Sequence, residues 1–148
     1  MSRPAIGAHP LAPGAVRAFV EGGNATFTVR NARTGGRYTY RVARNEDQNG
    51  AARAFVAVLN GPDNGRDYAH IGFIGRRDGA FVRSRQSPLP STALSVRGFD
   101  WVWSHVDRLA DYPHVEVHHV GKCGRCGRPL TVPSSITTGL GPVCAQRV

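Results

Sequence analysis

The sequence predicts an α+β fold: an antiparallel sheet of about five or six strands, one packed amphipathic helix, and a C-terminal knuckle of the treble-clef or zinc-ribbon kind. Three observations predict it. Short segments between residues 26 and 84 alternate apolar and polar residues, residues 91–110 have helical periodicity, and all three cysteines lie within residues 123–148. A chain of 148 residues that is 41% hydrophobic can bury one modest core.

The chain divides into three predicted regions. Residues 1–16 hold three prolines and no periodic pattern, which is typical of a flexible N-terminal arm. Residues 17–113 are predicted to form the antiparallel α+β domain, and residues 114–148 the C-terminal strand and the zinc knuckle.

Six segments have the pattern of short strands. In the first two, Phe27 and Val29 alternate with polar residues, as do Tyr38 and Tyr40, so we expect a hairpin with one apolar face. The tyrosines are expected in the core, and the strand at 54–59 is expected to be buried more fully. The predicted strands are residues 26–30, 37–42, 54–59, 68–74, 80–84 and 115–120.

The predicted helix runs to about Ala110 and begins at a serine N-cap, either Ser91 or Ser95. Its apolar stripe should pack on the sheet. Trp101 falls beside this stripe, where it either covers a sheet edge or forms an interaction hot spot. The stripe consists of Val96, Phe99, Val102, Trp103, Val106 and Leu109.

The cysteines are spaced for a metal site. Cys123 and Cys126 are separated by two residues and Cys144 follows at a distance, a spacing that suits zinc in a reducing compartment better than disulfides. Tetrahedral zinc needs a fourth ligand, and the preceding strand offers His118 or His119. These two point to opposite faces, so only one can bind, and spacing alone does not choose. We expect one Zn²⁺.

The segment HHVGKCGRCGRPLTVPSSITTGLGPVCA, residues 118–145, resembles the C-terminal signature of a family of uncharacterised bacterial, phage and plasmid proteins. That signature is Cys-x-x-Cys-Gly-Arg-x-Leu-Thr, then Ser-Ile, then Gly-x-Gly-Pro-x-Cys. The resemblance implies zinc and a mobile-element origin, and it selects His119 as the fourth ligand. It implies no activity.

A formal net charge of +9 predicts a polyanionic partner, most simply nucleic acid. The basic residues expected to contact it lie on the two hairpins and on the knuckle. An acidic protein surface is the alternative partner, with the chain acting as a host-directed inhibitor or adaptor anchored by Trp101. The predicted contacts are Arg30, Arg37, Arg41, Arg76, Arg77, Arg83, Lys122, Arg125 and Arg128.

Nothing in the sequence favours catalysis. It has no phosphate-binding glycine loop after a strand and no nucleophile elbow, so we expect a non-enzymatic protein without a small-molecule substrate. A weaker alternative is an enzyme that uses Asp63 and Asp67 in the loop at 60–67. Without an apolar run of membrane-spanning length or a secretory signal, we expect no membrane partner and a location in the cytoplasm of a bacterial host cell.

Overall fold

The computed structural model places seven β-strands in one antiparallel sheet with the order β1-β7-β2-β3-β4-β5-β6. It describes residues 9–46, 52–61, 66–75, 79–130 and 133–141. The antiparallel α+β class is confirmed, and the strand count exceeds the predicted five or six. The strands are β1 (His9–Pro10), β2 (Asn24–Asn31), β3 (Arg37–Glu46), β4 (Ala52–Leu59), β5 (Tyr68–Ile74), β6 (Phe81–Arg83) and β7 (Val115–His119).

The additional strand comes from the region predicted as a flexible arm. Residues 1–8 lie outside the described residues, but His9 pairs with His119 of β7, and the next residue after β1, Leu11, is buried. A 3-10 turn (Pro13–Ala15) and a short helix α1 (Val16–Glu21) follow, and Phe19 of α1 is fully buried. The sequence did not predict these elements because two strand residues and six helix residues give no readable period.

The first hairpin forms as predicted. Arg30 of β2 pairs with Arg37 of β3, and the Asn31 side chain accepts hydrogen bonds from the backbone N–H groups of Arg33 and Thr34 in the turn. Phe27 and Tyr40 are buried on the face that carries the core. The strand predicted at residues 54–59 is present within β4, and none of its residues is exposed: Val56 and Val58 are buried and the others are half-buried. Phe55 is one of the half-buried residues and does not belong to the core cluster.

A β-bulge reverses the alternation of side chains within β5. Val56 pairs with Gly72, whereas Ala57 pairs with His70, so β5 holds one extra residue at this point. Ile71 and Ile74 therefore both face the core, although they are separated by an odd number of positions. Phe73 consequently lies on the outer face, where it pairs with Phe55.

The predicted amphipathic helix is present but shorter. Helix α2 (Leu94–Ser104) ends before a 3-10 segment (Val106–Asp111), and its N-cap is Ala93, with no capping side chain. The predicted cap at Ser91 or Ser95 was therefore wrong. The whole predicted stripe is buried, as expected. Phe99 lies at the centre of this layer, with its ring 5.2 Å from Tyr40 and 4.9 Å from Phe81.

Trp101 lies at the edge of this core and is half-buried. Its ring stacks on His105 at 4.2 Å and meets the edge of Tyr112 at 5.0 Å. Among the described residues, no helix is long and apolar enough to cross a membrane.

Candidate functional site

The segment after β7 folds into a tight loop around Cys123. The Cys123 N–H donates to the Arg128 carbonyl at 2.8 Å, and the Cys123 carbonyl accepts from Gly127 N–H at 2.9 Å. Leu130 N–H donates to the carbonyl of Gly121 at 2.8 Å and closes the loop at its base. We call residues 121–130 the cysteine loop.

The Cys123 sulfur is buried and accepts three backbone hydrogen bonds. The donors are the N–H groups of Arg125 at 3.4 Å, Cys126 at 3.5 Å and Gly141 at 3.3 Å. Burial opposes ionisation of the thiol, but these three N–H groups and the Cys126 side chain outweigh it and lower the pKa of Cys123 to about 7. The loop therefore favours a thiolate at Cys123, and the thiolate is the form of cysteine that binds metals.

The cysteine loop is held against helix α1 through Gly124. Gly124 N–H donates to the Gly139 carbonyl at 2.8 Å, and its own carbonyl accepts from Asn24 N–H at 2.8 Å. A Cβ atom at position 124 would lie 2.6 Å from Phe19 Cδ1, so only glycine permits this approach. Gly139 directly follows helix α3 (Pro133–Thr138), so α1, β2 and α3 all meet the loop here.

The structure describes two of the three predicted cysteine ligands. Cys126 is exposed and its side chain interacts with the Cys123 sulfur, whereas Cys144 lies outside the described residues. Within the described ranges, no three His, Cys, Asp or Glu side chains come together as a metal-binding group.

His119 is fully buried on the side of the sheet that faces α1, with its ring 5.6 Å from that of Phe19. Its Nδ1 accepts the N–H of Gly121 at 2.9 Å, and its Nε2 lies 2.6 Å from the Ile136 carbonyl. A carbonyl only accepts, so Nε2 carries the proton and both ring nitrogens are engaged. Burial lowers the pKa of His119, although the bond to Ile136 opposes that shift.

His118 lies on the opposite face of β7. Its Nε2 is 3.4 Å from the carboxylate of Glu116, which also pairs with Arg30 at 2.9 Å. The two histidines therefore point to opposite faces, as the strand geometry predicts, and His119 is the one on the face of Phe19.

The comparisons with known proteins identify the same segment. Residues 114–148 match a family of unknown function, DUF6011. The match covers β7, the cysteine loop and everything after it. No curated protein and no solved structure matches the chain.

Three of the predicted basic contacts lie in the segment that matches DUF6011, and all three are exposed. Lys122, Arg125 and Arg128 lie along the cysteine loop. Because the loop is tightly turned, these three cationic residues lie close together on the surface.

The basic residues of the hairpins have different environments. Arg37 is exposed, whereas Arg30 is paired with Glu116 and the guanidinium of Arg41 lies over the ring of Tyr68 at 4.1 Å. Arg83 donates two hydrogen bonds, at 2.6 and 3.1 Å, to the carbonyl of Leu89. Arg83 thus tethers the link between β6 and α2. Arg76 and Arg77 lie outside the described residues.

Sequence reasoning missed a group of aromatic side chains on the outer face of the sheet. Phe55, Tyr68, His70 and Phe73 are half-buried and do not belong to the buried core cluster. Simple alternation places Phe73 with Ile71 in the core. Gly72 inside an apolar strand was the one signal of a bulge.

The loop at 60–67 is closed by its backbone. Asn60 N–H donates to the Asp67 carbonyl at 2.7 Å. Asp63 lies outside the described residues, so the two predicted carboxylates are not seen together.

A groove of about 620 Å³ separates the first hairpin from helix α2. Tyr38, Trp101 and Val115 line it, and Leu94 at its rim is 67% exposed. Arg97 of α2 is exposed and also lines it, so the apolar groove has a cation at its border.

Proposed function

We propose that the chain is a small, non-enzymatic zinc-binding protein that contacts nucleic acid through the first hairpin and the cysteine loop. The observation that carries the zinc proposal is the environment of Cys123. Three N–H donors around one buried sulfur stabilise a thiolate, which is the form in which cysteine binds Zn²⁺.

The covalent geometry of the chain supports Cys144 as a further ligand. Gly141 N–H contacts the Cys123 sulfur, and Cys144 follows three residues later. A tether of three residues reaches at most about 11 Å, so the sequence allows the Cys144 thiolate to bind the same metal ion as Cys123. Cys126, three residues after Cys123 in the same loop, supplies the third thiolate.

His119 is the proposed fourth ligand, because it shares the face of Phe19, which also contacts the cysteine loop. Its low pKa keeps the imidazole neutral, as coordination requires. Since Nε2 carries the proton, Nδ1 would bind the metal, and the Gly121 N–H would have to leave Nδ1 first. The bound zinc would stabilise the C-terminal segment.

Metal content tests this proposal directly. Native mass spectrometry of protein purified without added metal should show one zinc in the wild type and none in Cys144→Ala. His119→Ala should lose or weaken zinc, whereas the matched variant His118→Ala should retain it. Folded wild-type protein without zinc would overturn the proposal. If His118→Ala lost zinc and His119→Ala retained it, the fourth ligand would be His118, on the outer face of the sheet.

Nucleic-acid contact is supported by the charge and by its placement. The net charge is +9, and Arg37, Lys122, Arg125 and Arg128 are exposed. Such a surface attracts phosphates and releases counterions, so binding should weaken steeply as salt increases. Fluorescence anisotropy with labelled oligonucleotides measures it, and no binding at about 50 mM salt would remove this part of the proposal.

A protein partner is the second candidate, and the groove beside α2 favours it. An exposed leucine, a half-buried tryptophan and the exposed Arg97 suit an acidic peptide with apolar side chains. A synthetic peptide rich in Glu and Leu should quench tryptophan fluorescence of the wild type and not of Leu94→Asp. Equal quenching in both proteins would exclude the groove.

A further inference from the structure

The outer face of the sheet carries an aromatic and cationic surface that the core does not use. We define the aromatic patch as Phe55, Tyr68, His70 and Phe73. Phe55 pairs with Phe73 across β4 and β5, and the Phe55 and His70 rings lie 5.9 Å apart. Val82, 44% exposed, continues the row from Phe73 onto β6.

The patch is on the face opposite to the helices. Phe99 of α2 packs on Phe27 and Tyr40, whose side chains point to the other side of the sheet. Every buried core residue and every partly buried hydrophobic residue packed against the core is outside the patch. The described part of the chain therefore leaves these rings half-buried and uncovered by a helix.

The β5 bulge is what assembles the patch. Without the extra residue, Phe73 would face the core and Tyr68 and His70 would be alone on the outer face. Gly72, next to the bulge, lets β6 pack closely on β5, because a side chain there would collide with the Val82 carbonyl oxygen. The structure thus places a third aromatic ring of β5 on the outer face at the cost of an irregular strand.

Arginines lie directly on this patch. The Arg41 guanidinium is 4.1 Å from the ring centre of Tyr68, and that of Arg53 is 4.9 Å from Phe73. Across β2 to β6, the described outer-facing side chains include no carboxylate. From β3 to β5 the face accordingly combines flat rings with positive charge, and Glu116, which lies on the same face of β7, is paired with Arg30.

We propose that this face binds single-stranded nucleic acid, with unpaired bases stacked on the aromatic patch and its arginines, and with phosphates held by the adjoining cations. The inference rests on the proposed nucleic-acid function and names its substrate class. Bases stack on aromatic rings and on guanidinium planes, and each stacked base contributes substantially to affinity. A duplex hides the faces of its bases, so the patch selects a single strand, and Arg37 on the same face reaches its backbone.

Anisotropy with a labelled 15-mer of dT and with a duplex of equal length tests the proposal. The wild type should bind the single strand more tightly, and Phe55→Ala combined with Phe73→Ala should weaken that binding about tenfold or more. Phe55→Tyr combined with Phe73→Tyr keeps the rings and should bind as the wild type does. Val82→Ala, which removes an outer-face side chain without a ring, should also bind normally.

The results separate this inference from the proposed function. If single strand and duplex bound equally tightly and the double alanine variant bound as the wild type does, the role of the aromatic patch would be overturned. The proposal that the protein contacts nucleic acid would stand. No binding to either oligonucleotide would overturn both. Binding of poly-glutamate as strong as that of the oligonucleotide, and weakened equally by the double alanine variant, would overturn the proposal and assign the face to an acidic protein.

A second measurement uses only the wild type, so it tests the proposal even if the double alanine variant does not fold. An oligonucleotide carrying 5-iodouracil is cross-linked by light, and the attached peptides are mapped by mass spectrometry. Cross-links within residues 52–61 or 66–75 are expected. Cross-links confined to the cysteine loop would overturn the proposal.

Discussion

The backbone N–H of Gly141 donates a hydrogen bond to the sulfur of Cys123 at 3.3 Å and joins two segments that lie 18 residues apart. Cys123 also accepts N–H groups from its own loop, so one buried sulfur connects the cysteine loop to the end of the segment that contains α3. The protonation state of this sulfur therefore affects the contact between the cysteine loop and Gly141.

The stability of the metal-free protein should increase between about pH 7 and pH 9. The pKa of Cys123 is about 7 in the folded protein, against an ordinary value of 9.0. Folding therefore stabilises the thiolate form of Cys123 relative to the thiol. This contribution is fully present above pH 9 and is lost as the pH falls through 7. A difference of two pKa units corresponds to about 2 to 3 kcal/mol.

Urea unfolding under chelator and reductant, at pH 6.5 and at pH 9, measures this dependence. Cys123→Ala should be less stable at high pH and should lose most of the slope between the two values. An identical slope in the wild type and the variant would assign the pH dependence to another group.

The contact between Gly124 and Phe19 predicts a local cost of adding one methyl group. In Gly124→Ala the new Cβ would lie 2.6 Å from both Cδ1 and the carbonyl oxygen of Phe19, so α1 or the loop must shift. We expect a loss of about 1 to 3 kcal/mol in unfolding free energy. Gly14→Ala is the matched control, since its Cβ would have no neighbour within 4 Å. Equal stability of both variants would contradict the packing of the loop on α1.

Phe99 should be among the most sensitive positions of the core. Its ring contacts those of Phe27, Tyr40, Phe81 and Trp103, and it is fully buried. Phe99→Ala should cost about 3 to 5 kcal/mol, and the smaller change Phe99→Leu should cost less and remain measurable if the alanine variant does not fold. Leu94→Ala in the same helix, at a position 67% exposed, should change stability by less than about 0.5 kcal/mol. Thermal and urea unfolding measure all three.

The sequence predicted those elements whose residues repeat regularly. The first hairpin and the apolar stripe of α2 follow directly from alternation and helical spacing, and both are confirmed. The sheet edge formed by His9 was not predictable, because two residues carry no period and their pairing with β7 is a contact 110 positions away in the chain. Long-range pairing of this kind depends on tertiary structure alone.

The outer face could be predicted only in part. Simple alternation puts Arg30, Arg37 and Arg41 on the face opposite to Phe27 and Tyr40, and the registers of β2 and β3 agree with it. Phe73 could not be assigned, because the bulge at Gly72 reverses the alternation in the middle of β5. The role of Arg83 could not be predicted either, because its two hydrogen bonds to the Leu89 carbonyl depend on the conformation of the link between β6 and α2.

Arg37 and Arg83 should therefore respond differently to the same substitution. Arg37 is exposed on the first hairpin, so Arg37→Gln should weaken binding of every oligonucleotide and reduce the salt slope by about one unit. Arg83 tethers the chain between β6 and α2, so Arg83→Gln should lower stability by about 1 kcal/mol and leave the affinity unchanged. Anisotropy across a salt series and thermal unfolding distinguish the two. If Arg83→Gln reduced the salt slope as much as Arg37→Gln does, Arg83 would contact phosphate, and its bonds to Leu89 would have to break on binding.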